Sequence, residues 1–260
     1  MTLTRLLSAA AALACLLAAA PVHAQAPAAP SRGFVAEYAP TDDADHASIR
    51  ASMQEHGFLE QVATHWNHWV RLPRRVPLRM AECPESGVEY DAVETAVNAC
   101  YRTIDRFQGL SRAEGDWAHA GGAMIFMLAH AAAHAMGDVL ALPQSARTEE
   151  GAHELTALLL AYSGRTRLDA VLGLHRVMEL DSTWAEWGYA RRHALTPERL
   201  RGLACLVYGS VPPDFVQHLA GLRQAGLVSD ERAPRCRPEY VRLIERWGVR
   251  LDRHFARGPS

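Results

Sequence analysis

Lysine is absent from this chain: all 27 basic residues are arginine, set against 29 acidic residues for a formal net charge of −2. The arginines are spread along the sequence rather than gathered into a stripe, so the electrostatic footprint of a nucleic-acid binder is missing and nucleic acid is not expected as a partner. The bias reads as the codon usage of a GC-rich genome. C-x-x-C pairs are absent too, which argues against a zinc site built from four thiolates. After residue 24 no apolar run reads as long enough to span a bilayer, so no transmembrane segment is expected in the mature protein.

The one strongly apolar tract lies at the start. Met1 to Ala24 has an early arginine, the run "LLSAAAALACLLAAA" and the small-residue site "VHA" before Gln25, the layout of a cleavable secretory signal. A secreted or periplasmic location follows. Residues 25–33, "QAPAAPSRG", read as a flexible tether, 34–256 as a single domain, and 257–260 as a tail. Cys15 falls in the signal, leaving Cys83, Cys100, Cys205 and Cys236. An even count in an exported chain predicts two disulfides. Of the three possible pairings, Cys83 with Cys100 and Cys205 with Cys236 are favoured because each is local within a supersecondary unit.

Residues 46–70 carry apolar side chains at helical intervals, and "LPRRVPLRMAEC" then reads as entry into a strand. "GVEYDAV" and "TAVNACYRTI" add short, partly β-branched segments, together predicting a small antiparallel sheet of about three strands with a disulfide-linked hairpin. Beyond Asp116 the pattern turns helical over 117–141, 149–163, 166–179, 197–207, 213–225 and 237–255. The fold class expected is α+β, a small sheet followed by a mainly helical region.

Within "MLAHAAAHAMGD" two histidines, His130 and His134, stand four apart, the spacing at which one helix face offers both imidazoles to a metal ion. With 13 histidines in 260 residues, on the order of one such pair arises by chance, so spacing alone proves little. Context adds weight. The surrounding run is apolar nearly all round, as in a helix at a domain centre, where an imidazole without partners is costly. In "RTEEGAHELTALLLAY", Glu149 and His153 share a face and could supply a third ligand. The residues alone leave two readings open: a metal held by His130, His134 and one residue of this helix, or two core histidines beside a solvated Glu149.

The stretches "ECPESGVEYDAVETAVNACY", "HAAAHAMGDVLALP" and "RTEEGAHE", followed by "HALTPERLRGLACLVYGSVPPDF" and "LVSDERAPRCRPEYVRLIERW", resemble the putative metallopeptidase family known as domain of unknown function 4344. The resemblance implies a zincin-like fold with zinc as cofactor, His130 and His134 as ligands and Glu149 as the third. It places Asp138 at an acidic position from which it could orient His134, and His153 as a further neighbour of the site. It also exposes a departure. Ala131 stands where an H-E-x-x-H peptidase carries the glutamate that takes the proton of zinc-bound water, so no catalytic residue is assigned there. Ala133, His153, Gly87 and Arg102 differ from the family pattern as well. The expectation is a metallopeptidase-like protein that is catalytically impaired and acts by binding an unknown peptide or protein. The alternatives are an active enzyme using another base, such as Glu150, Glu154 or His193, and a structural protein without metal.

Overall fold

The computed structural model describes residues 32–114, 118–212 and 219–255. The signal expected at 1–24, nearly all of the tether and the tail lie outside the described residues.

The sheet is where sequence and structure part. Strand β1 (Gly33–Tyr38), unforeseen in the sequence, joins β2 (Arg75–Ala81), β3 (Val88–Asp91) and β4 (Ala96–Cys100) in the order β1-β2-β4-β3. β1 with β2 and β2 with β4 run parallel, and β3 pairs antiparallel with β4. The expected three-stranded antiparallel sheet is thus corrected to a mixed four-stranded one. The reason is connectivity. Parallel neighbours need a long crossover, and α1 (Ala44–Glu55) and α2 (Phe58–Trp69) supply it between β1 and β2. Only the hairpin is local: the Asp91 carboxylate accepts from the amides of Val93 and Glu94 at 2.8 and 3.0 Å, an Asx turn that reverses the chain.

The single helix expected over 46–70 is divided at Gly57, which takes φ 58° and ψ 40°. That left-handed conformation ends α1 and lets α2 leave in a new direction. "TAVNACYRTI" is also divided. Its strand stops at Cys100, and α3 (Tyr101–Glu114) begins at once, burying Tyr101, Ile104 and Phe107 along one helical face.

Helix α4 (Ala118–Val139) is the centre of the molecule. By length and composition it could cross a bilayer, contrary to the sequence expectation, yet 78% of its apolar window is buried in the protein. It packs against α5 (Glu149–Ala161), α6 (Thr166–Leu180) and strands β3 and β4. A helix apolar on every side suits this position, because each face meets another element. Pro143 and Ala141, whose φ is 49°, stop it. The remaining described α-helices are α7 (Gly188–Arg192), α8 (Pro197–Gly209), α9 (Ala220–Gln224) and α10 (Ala233–Leu251), with short 3-10 turns at Gln144–Arg147 and Trp184–Glu186. Of the helix expected over 213–225, α9 is the part that falls among the described residues, 213–218 lying outside them. α10 starts earlier than expected, with Pro238 inside it.

Both favoured disulfides form. Cys83–Cys100 ties the end of β2 to the end of β4, and Cys205–Cys236 ties α8 to α10. Non-reducing peptide mapping is expected to recover these two crosslinks; a Cys100–Cys205 peptide would contradict the architecture. Removing either bridge should cost about 2–4 kcal/mol in denaturant unfolding, a modest loss beside the core that carries the fold.

Candidate metal centre

Three elements distant in sequence bring one polar cluster into the core. The first is α4. One turn apart on it, His130 is fully buried and His134 partly so, with Nε2 atoms 3.3 Å from each other. The second is α5, whose first residue is Glu149. Thr148 caps the helix, its hydroxyl accepting from the Gly151 amide at 3.2 Å, and the helix N-terminus favours a carboxylate charge. Gly151 lies so close to the Ser145 carbonyl that a Cβ there would clash with it, so the missing side chain lets the 144–147 turn pack tightly and aim Glu149 back at α4. One Glu149 oxygen lies 3.2 Å from His130 Nε2 and the other 3.2 Å from His134 Nε2.

The third element is the end of α7. His193, 94% buried, places Nδ1 3.1 Å from His130 Nε2 and 3.3 Å from Glu149 Oε1. Ala194 follows in the left-handed region at φ 46°, and the Leu195 amide closes back on the Ala190 carbonyl at 3.0 Å, which turns the chain sharply after the imidazole. The ligand atoms of His130, His134, Glu149 and His193 all lie within 4.8 Å of one another.

Hydrogen bonds behind the cluster decide which lone pairs face it. Thr156 donates its hydroxyl proton to the Ala152 carbonyl at 2.7 Å, so its oxygen accepts from His130 Nδ1 at 3.3 Å. His130 Nε2 is then left with its lone pair pointing inward. Likewise Glu89 Oε2 accepts from His193 Nε2 at 2.7 Å, which turns the other ring nitrogen, Nδ1, to the centre. Glu89 Oε1 is held separately by Arg192, at 2.7 Å from its Nη2.

The electrostatics follow. Burial would raise the Glu149 carboxyl, but the three imidazoles of His130, His134 and His193, any of which can bring it an N–H when protonated, hold it far below the usual carboxylate range. Burial depresses His130 to about 4 despite Glu149 beside it. Burial would depress His193 too, yet bonds to Glu149 and Glu89 push it up to about 9. Acceptors therefore converge on a point that needs positive charge, supplied by protons or by a cation.

The other predicted positions divide. Ala131 and Ala133 are fully buried in the core. Asp138 does not orient His134: its carboxylate takes bonds from the Tyr90 hydroxyl at 2.7 Å and from Arg74 at 3.4 Å, because the last turn of α4 abuts β3. His153 lies against the His130 ring, centroids 4.8 Å apart. Neither of its buried nitrogens has a hydrogen-bond partner, and burial with the neighbouring His130 takes it down to about 3. Glu154 is directed at Arg246 and Trp247, and Glu150 is exposed. His193, expected from the sequence only as a substitute base, joins the cluster, together with Glu89 and Thr156, which no sequence motif marks. Spacing within one helix could not reveal them.

Residues 38–251 match the family model described as a putative metallopeptidase, domain of unknown function 4344. The chain belongs to this family. No curated protein and no solved structure matches it. The family's metal chemistry gives the His/Glu cluster its meaning as a possible metal site.

Proton linkage gives a direct test of the cluster without metal. Between pH 6.5 and about 4 the unfolded chain protonates His130 and His153 while the folded chain leaves them neutral. Stability should fall as pH drops through that window, by on the order of a few kcal/mol. His193 has the opposite sign: its contribution is full below about 6.5 and lost as pH rises through about 9. Urea unfolding of chelator-treated protein across pH 4–10 checks both limbs.

Proposed function

We propose that this chain is an exported, metal-binding member of its family, with a zincin-like scaffold that holds zinc and no longer supports efficient peptide hydrolysis. The observation that carries the reading is the convergence of His130 Nε2, His134 Nε2 and Glu149 at separations of 3.2–3.3 Å. Zinc with nitrogen and oxygen ligands at about 2.0–2.1 Å spaces tetrahedral ligand atoms about 3.3–3.4 Å apart, and each imidazole stands at about that spacing from the other and from one Glu149 oxygen. Imidazole and carboxylate together suit zinc better than calcium or magnesium, which prefer oxygen alone. Two disulfides are in keeping with an oxidising compartment.

Bound zinc would supply Lewis acidity and an acidified water. The chain's own residues set what can be done with that chemistry. His130 and His134 hold the ion from one helix face, Glu149 balances its charge, and Thr156 keeps His130 in the ligating tautomer. Ala131 has no group to accept or return a proton. Among the carboxylates, Glu89 is bound to His193 and Arg192, and Glu154 to α10. With the carboxylates nearest the cluster engaged in this way, the function proposed is binding. A cleft of about 750 Å³ lined by Glu89, Tyr90 and Arg192 lies beside β3, next to the Glu89 carboxylate that holds His193, and is the surface proposed to take a peptide or protein partner.

An active hydrolase with His193 as its base is the competing reading, favoured by the nearness of that imidazole. The binding reading is tested by elemental analysis of protein purified without chelator or added metal, where about one zinc per chain is expected. Absence of zinc, with none taken up when it is offered at neutral pH, would return His130 and His134 to the status of core residues.

A further inference from the structure

We infer that His193 is a fourth metal ligand, and that it closes the coordination sphere a hydrolytic centre would keep open for water. The inference rests on the metal-binding reading above and extends it to the shape of the site. His193 Nδ1 stands 3.1 Å from His130 Nε2 and 3.3 Å from Glu149 Oε1, as near to these two donors as they are to each other, and all four ligand atoms, His134 included, lie within 4.8 Å of one another. A residue placed only to touch substrate would sit farther from the ligands than they sit from each other. Four protein donors around one ion are the composition of a structural zinc site, whereas catalytic sites have three and a water.

Direction agrees with distance. Glu89 accepts the Nε2 proton of His193, so once a cation displaces the proton shared with Glu149 the inward nitrogen, Nδ1, is the one that presents a lone pair. Carboxylate-to-imidazole bonds of this kind fix both tautomer and ring orientation in metal centres. The ring is also packed: its centroid lies 4.6 Å from that of Tyr189, and Arg192, the preceding residue, bridges Glu85 and Glu89. His193 is therefore held at the centre by β3, by its own helix and by the sharp turn at Ala194. The loss of the base at position 131 and the closure by His193 then act together, since a closed sphere has no water for a base to activate.

Cobalt(II), loaded into the full chain in place of zinc, reports the sphere directly. X-ray absorption is expected to count three imidazoles and no water. The visible ligand-field bands of the wild type should not respond to azide at concentrations that shift those of His193→Ala, in which the position is freed. Glu89→Ala should weaken cobalt binding by about 10–100-fold, with Glu89→Gln recovering most of it, because the amide oxygen still accepts the Nε2 proton. Two imidazoles with a bound water, or a wild type that takes azide as readily as His193→Ala, overturns the inference and leaves the three-ligand reading intact. A wild type that takes up no cobalt and no zinc overturns both. The absorption count on the wild type needs no variant to fold.

Discussion

His130→Ala is expected to strip the protein of most of its zinc. The imidazole is fully buried, bonded to Thr156 behind and placed within 3.1–3.3 Å of the other three donors in front. Structural zinc sites bind with about 10–16 kcal/mol, so one ligand of four accounts for on the order of 3 kcal/mol, or about a hundredfold in affinity. His134→Ala should behave alike. Glu149→Ala should weaken binding as well, and it leaves His193 short of the carboxylate that helps hold it. His153→Ala should have the smallest effect, since neither of its nitrogens bonds to a residue of the cluster. Competition against a chromophoric chelator ranks the four. Equal affinities for all four and the wild type would dissolve the site.

Zinc-loaded wild type should hydrolyse no peptide in a library assay, and Ala131→Glu should be the single change that raises activity most. Position 131 follows His130 on α4, where the residue is alanine and fully buried. A glutamate there restores the group that moves protons between water and leaving amine, a step worth about 10²–10⁴-fold. Alanine, by contrast, is the best helix former and places no carboxylate in the core, so the present sequence is at least as stable without the base. The gain from Ala131→Glu should be larger with His193→Ala in the same chain, because that pair restores both the base and an open position on the metal. A melting curve of each variant separates lost folding from absent chemistry. Chelator-sensitive cleavage by the wild type, abolished in His130→Ala, would instead establish an active enzyme and make His193 the group to examine as its base.

Within single elements, much was legible from residue order. Apolar periodicity marked α4, α5, α6 and α8, because a helix repeats its buried face every three to four residues whatever surrounds it. The same repeat put His130 and His134 on one face, and the favoured cysteine pairs were close in sequence and in the same units. Glu149 stood at the start of the next helix. What joins distant segments was not legible. β1 pairs with β2 some forty residues on, and a parallel pair leaves no turn signal in the sequence. Asp138 shares a helix face with His134, yet Tyr90 and Arg74 take its carboxylate, since a partner on another strand can outcompete a neighbour one turn away. His193 lies 63 residues beyond His130, and Glu89 a further 104 residues from His193 in the other direction. Local spacing determined which side chains could share a helix face; the packing of α4 against α5 and β3, with His193 brought in at the end of α7, decided which lone pairs meet, because hydrogen bonds between elements are set by where the core brings those elements together.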